Sequence, residues 1–150
     1  MLTPSLTGWR AQYDRMQRSY ARVTSPYTSS VAYDDDLHHF MQDCWHLKDW
    51  IQNDPGAGVG MLIEGLVDGY PSLRIVADLA NASKHLRRRG NGARAFVTST
   101  NVTVHLGQPR PIDVDYIVTL ADGSPRSATS LVHEAVKDWD ALLTKQVLLP

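Results

Sequence analysis

Apolar positions along the first half of the chain recur at steps of three and four. Residues 5 to 24 place Leu6, Trp9, Tyr13, Met16, Tyr20 and Val23 in one stripe, which predicts an amphipathic helix with Arg15, Arg18 and Arg22 on its other side. SPYTSS (25–30) reads as a short connection. A second helix is expected from about 31 to 53, with Leu37, Phe40, Met41, Cys44, Leu47 and Ile51 facing the core. NDPGAGVG (53–60) stops it, because proline and glycine do not sustain a helical turn. MLIEGLV follows as a short apolar helix, broken by DGYP, and Pro71 opens a fourth helix expected to reach about residue 89 before GNG (90–92).

The period then changes. TNVTVHL alternates through Val102, Val104 and Leu106, and IDVDYIVTL through Ile112, Val114, Tyr116, Val118 and Leu120, as half-buried strands do. Asp122-Gly123 is a turn signal, and SATS supplies caps for a last helix with Leu131, Ala135, Trp139, Leu142 and Leu143 turned inward. The expected fold is α+β: a mainly α-helical bundle of about five helices with a small antiparallel β-hairpin before the last one. No repeat or linker divides the 150 residues, so 1–150 reads as a single domain.

Composition narrows this picture by exclusion. A hydrophobic fraction of 43% with 21% charged residues is that of an ordinary globular domain. A net charge of −1 argues against nucleic-acid binding through bulk charge. A single cysteine rules out an internal disulfide framework and a multi-cysteine zinc site. No stretch approaches the roughly 20 apolar residues of a membrane span, and MLTPSLTGWRAQYDR lacks the apolar centre of a signal peptide. The expected location is the cytoplasm.

Candidate chemistry concentrates on the fourth helix. At about 100° per residue, Arg74, Asp78, Asn81, His85 and Arg88 share one face, beside a small-residue seam of Ala77, Ala80 and Ser83. His85 follows Asn81 by one turn and Asp78 by two, which suits a neighbour orienting an imidazole for acid–base work. A solvated polar face with an ordinary Arg74–Asp78 pair accounts for the same spacing. On the second helix His39, Asp43, His46 and Trp50 fall on one side. Two histidines and a carboxylate at such steps are a metal-ligand pattern, although only two glutamates, Glu64 and Glu134, are available to enlarge it. Charge is segregated: Lys84 to Arg94 holds five basic residues and no acid, while Asp34 to Asp54 holds six aspartates and one lysine. The basic stretch with Arg15, Arg18 and Arg22 could follow a phosphate backbone, or pair with the acidic stretch within the chain or across a dimer. GAGVG follows a helix rather than a strand, so it is not a phosphate-binding fingerprint.

The motifs C-x-H-L-x-D-W in CWHLKDW (44–50) and D-L-x-N-x-x-K-H in DLANASKHL (78–86), with paired strands and a closing helix bearing Trp139, resemble a set of small bacterial and phage-associated helical proteins. More distantly, Asn81-x-x-x-His85 late in a long helix is similar to the HEPN superfamily, whose members include metal-independent ribonucleases of toxin–antitoxin and phage-defence systems, often dimeric. That resemblance implies His85 as the acid–base residue with Asn81 and Asp78 beside it. Arg74, Lys84 and Arg88 become phosphate contacts, RNA or a nucleotide the partner, and a homodimer the assembly, with no cofactor. Ala80 stands where the superfamily's motif has arginine. The alternative is a non-catalytic structural or regulatory module, in which His46 or Asp49 pairs with Asn81, Lys84 or His85 in a buried network and the sheet serves assembly. A third reading centres on a metal or small molecule at His39, Asp43 and His46.

Overall fold

A computed structural model describes residues 7–25, 30–84, 96–104 and 112–149. Among them the architecture is α+β and mainly helical, in the order α1 (Gly8–Val23), α2 (Ser30–Asn53), a 3-10 turn (Pro55–Ala57), α3 (Leu62–Asp68), α4 (Pro71–Lys84), β1 (Phe96–Val104), β2 (Ile112–Thr119), β3 (Pro125–Ser127) and α5 (Ala128–Lys145). The strands form one antiparallel sheet in the order β1-β2-β3.

The stripes read from periodicity are the buried ones. Trp9, Met16 and Val23 of α1, all six expected residues of α2, and Leu131, Ala135, Trp139, Leu142 and Leu143 of α5 join one apolar cluster with Ile63, Val67, Leu73, Val76, Ala80 and Val118. α5 turns eight buried residues into it. Its Trp139 is 1% exposed and donates its indole N–H to the carbonyl oxygen of Cys44 on α2 at 3.2 Å. Ser127 caps α5 by accepting from Ser130 N–H, as SATS suggested.

The first strand begins at Phe96, four residues before the expected TNVTVHL, and the last part of that stretch lies outside the described residues. β3 was not expected. It forms because the Asp122-Gly123 turn, with Gly123 at φ +83°, returns the chain so that Pro125–Ser127 pairs with Ile117–Thr119. Three residues carry too little alternation to show in a sequence. Residues 85–89, expected to extend α4, lie outside the described residues.

The arginine side of α1 also differs from expectation. Gln12 and Ser19 are buried on it, so α1 packs on two sides. Arg15 bonds the Gln12 side chain at 2.5 Å and stands over the Trp50 ring at 5.4 Å, while Arg22 bonds Ser19 at 3.0 Å and pairs with Asp36 at 3.7 Å. Only Arg18 of the three is simply exposed among described contacts. Of the acidic stretch, Asp36 therefore meets Arg22 of α1 within the chain.

One carboxylate closes the α1–α2 hairpin. Asp54 accepts from Trp9 N–H with Oδ2 and from Gly56 N–H with Oδ1, each at 2.8 Å, and so caps α1 and the 3-10 turn together. The approach needs a glycine. Gly8 has φ +77°, and a Cβ there would stand 2.9 Å from Asp54 Oδ2. Gly8→Ala is expected to lower unfolding stability by about 1–3 kcal/mol, read from urea denaturation. An unchanged midpoint would contradict this cap.

Candidate functional site

Pro71 starts α4, Leu73, Val76 and Ala80 turn into the core, and the polar residues are left along the other side. Arg74 is exposed and Asp78 and Asn81 are half-buried, so three of the five residues expected on one ridge do run along a continuous helix. His85 and Arg88 lie outside the described residues, and Lys84 is described only as the end of α4. Of the small-residue seam, Ala80 is buried and Ala77 half-buried, and Gln42 of α2 donates its side-chain amide to the carbonyl oxygen of Ala80 at 2.9 Å. Ser72 bonds Asp138 of α5 at 2.6 Å on the helix's first turn.

Arg74 and Asp78 line an open groove of about 300 Å³ between α4 and the β2–β3 turn, with Pro71, Ile75, Leu120, Ala121 and Asp122. Asp122 Oδ1 accepts from the Ser124 hydroxyl at 2.6 Å and its amide at 2.9 Å, and these bonds hold its carboxyl below the ordinary carboxylate value. Among the described lining residues Arg74 is the single cation. Beside it the described lining carries two carboxylates, Asp78 and Asp122, and the apolar Pro71, Ile75, Leu120 and Ala121.

The polar face of α2 divides. His39 and His46 are exposed, whereas Asp43 is turned toward α1, where Oδ2 accepts from the buried Ser19 hydroxyl and the Asp43 carbonyl accepts from Gln12 at 2.9 Å. The arrangement expected of His39, Asp43 and His46 as metal ligands therefore does not form. Among the described residues no three His, Cys, Asp or Glu side chains converge in that way. Of the buried network expected between α2 and α4, His46 and Asp49 are exposed, His85 and the Lys84 side chain lie outside the described residues, and a described bond between the two helices runs from Gln42 to Ala80. Asp49 lines a separate groove of about 430 Å³ with Gly8, Trp50, Asn53, Asp54 and Pro55.

The residue that matters beside them is Lys48, 8% exposed, whose ammonium bonds Glu64 of α3 at 2.9 Å and lies 4.5 Å from the Trp45 ring centre. It is the one lysine of the acidic stretch, a signal that was present in CWHLKDW. A second constellation had no sequence signal. Asp115 of β2 accepts from Ser127 Oγ at 2.5 Å and from the amide and hydroxyl of Thr129, each at 3.0 Å. Next to it, Tyr116 donates to Asp34 of α2 at 2.7 Å, and burial, reinforced by that carboxylate, raises its phenol above the ordinary value. On α1, Tyr13 donates to Asp140 of α5 at 2.8 Å. Burial first, and Asp140 second, push its phenol up to about 12.

Comparison with protein-family models, with curated proteins and with solved structures finds no match. Function is therefore read from these side chains alone. No described helix is long and apolar enough to cross a membrane.

Cys44 is 1% exposed, and burial pushes its thiol up to about 12. The folded chain keeps this thiol protonated between its ordinary value of 9.0 and about 12 while the unfolded chain ionises, so its contribution to stability is lost as pH rises through that window. Cys44 is expected to resist alkylation at pH 8 in the native protein and to react at once in denaturant. Fast native labelling would place it outside the core.

Proposed function

We propose that this protein is a non-catalytic interaction module. The observation that carries the reading is where its polar side chains are used. Asp43, Asp115, Asp34, Asp54 and Lys48 each bond a side chain or amide of another element, so the densest polar constellations hold α1, α2, α3, β2 and α5 together. A catalytic centre needs the opposite: an acid–base group facing a cleft with its partner ready.

A second reading, a HEPN-like RNA-directed protein, draws support from one feature. Arg74, Asp78 and Asn81 run along the same side of α4, Arg74 is exposed at a groove, and the basic run 84–94 follows directly in the sequence. The two readings part in one experiment with labelled RNA, the native protein and His85→Ala. The module reading expects equal background cleavage by both. Cleavage that falls by about a hundredfold or more in His85→Ala would replace it with general acid–base catalysis. Binding without cleavage that weakens with salt and in Arg74→Ala would make the partner an RNA.

A further inference from the structure

α3 turns Ile63 and Val67 into the core and leaves its outer side to solvent. Two large apolar side chains stand together at the start of that side, Met61 at 69% exposure and Leu62 at 73%. Their surface stays in water, so it contributes nothing to folding. Gly65, also exposed, follows on the same side one turn on. A glycine inside a helix weakens it relative to alanine. The Gly65 backbone is helical and a Cβ there would meet nothing within 4 Å, so the described fold does not require the missing side chain. Gln52 of α2 is poorly matched as well. Its side-chain amide donates to the Met61 sulfur, a weak acceptor, at 2.8 Å, and its buried Oε1 has no hydrogen-bond partner among the described residues. The exposed charges nearby have one sign. Asp49, Glu64 and Asp68 are exposed, while Lys48 between them is 8% exposed and already paired, with Glu64 at 2.9 Å and Asp49 at 3.5 Å.

We propose that this outer side of α3, Met61, Leu62 and Gly65 with Gln52 of α2, docks a basic amphipathic segment of a partner protein. Apolar side chains of the segment cover Met61 and Leu62, its body comes close over Gly65, and its lysines or arginines meet Asp49, Glu64 and Asp68. A donor on it reaches Gln52 Oε1 once the unbranched Met61 side chain swings aside. The carboxylates choose the occupant. A second copy seated here about a two-fold axis would bring an acidic surface against itself, and an RNA or an anionic membrane would meet the same repulsion. The inference rests on the module reading and names the chemistry of its partner.

The probe is a fluorescein-labelled peptide of about 14 residues, with leucines at steps of three and four and lysines between them, titrated with the whole protein and followed by anisotropy. A dissociation constant of about 10–100 μM is expected. The same peptide with glutamate for lysine is expected to bind at least about tenfold more weakly. Leu62→Ser is expected to weaken binding of the lysine peptide about tenfold. Gly65→Ala separates docking from folding. It is expected to raise the melting temperature, since alanine favours a helix and finds open space, yet to weaken binding about tenfold, because its methyl stands where the segment approaches. A stabilised Gly65→Ala with unchanged binding overturns the proposal, as do equal binding of the two peptides and no binding up to about 1 mM. If Leu62→Ser folds poorly, Gly65→Ala decides. Sedimentation of the protein alone supplies a further check: self-association that Leu62→Ser abolishes would make the occupant a second copy and overturn the basic segment. His85-dependent RNA cleavage would sink the module reading and leave the docking standing, whereas failed peptide binding without cleavage sinks the docking alone.

Discussion

Trp139→Ala is expected to lower unfolding stability by about 3–5 kcal/mol, the range for emptying a large aromatic site in a core. The indole is 1% exposed and sits where α5 meets α2, between residues of both stripes. Two losses combine: apolar burial, and the indole N–H bond to the Cys44 carbonyl. Trp139→Phe separates them, since it keeps most of the area and drops the donor, and is expected to lose about 1–3 kcal/mol. Urea titrations with the slope held in common measure both. A loss below about 1 kcal/mol for Trp139→Ala would mean that α5 does not fill the bundle in the manner described.

Asp115→Ala is the largest expected effect from a polar site, about 2–3 kcal/mol. Its carboxylate receives three hydrogen bonds, two of them from Thr129 and one from Ser127, and so joins β2 to the first turn of α5. A negative charge at that end of α5 also meets the positive end of the helix dipole. Removing it strands the Thr129 amide, one of the donors that a helix start cannot satisfy internally. Asp115→Asn keeps one acceptor and should lose less than Asp115→Ala. Thermal melts followed at 222 nm and by tryptophan fluorescence report this, and equal losses in the two variants would show that the acceptors are not what matters.

What was legible in the residues, and what was not, follows from the range of each interaction. The stripes of α2 and α5 repeat every three or four positions over many turns, so their core faces could be read directly, and the switch to alternation marked β2. The start of β1 at Phe96 and the three-residue β3 carry too few alternations to read. The metal-ligand arrangement expected on α2 does not form for another reason. Asp43 shares a helical face with His39 and His46, yet Ser19, 24 positions earlier, decides where its carboxylate turns. Helical spacing places a side chain on a face but does not say which neighbour it will bond. Asp54 and Asp115 are the same case: their partners lie 45 and 14 positions away and leave no periodic trace. On α4 the shared side of Arg74, Asp78 and Asn81 was legible, because helical spacing alone decides which face a residue stands on.

The long reach of α5 has a consequence for how the protein is made. Tyr13 meets Asp140, Arg10 bonds the Leu148 carbonyl at 3.0 Å, and Cys44 waits for Trp139, so the helices translated first close against the one translated last. A nascent chain halted near residue 127 would leave the part of the core that α5 fills, beside Cys44, open to water, and exposed apolar surface of that kind is what holdase chaperones recognise. Slowing translation ahead of α5 should therefore raise the fraction of chains that aggregate on the ribosome.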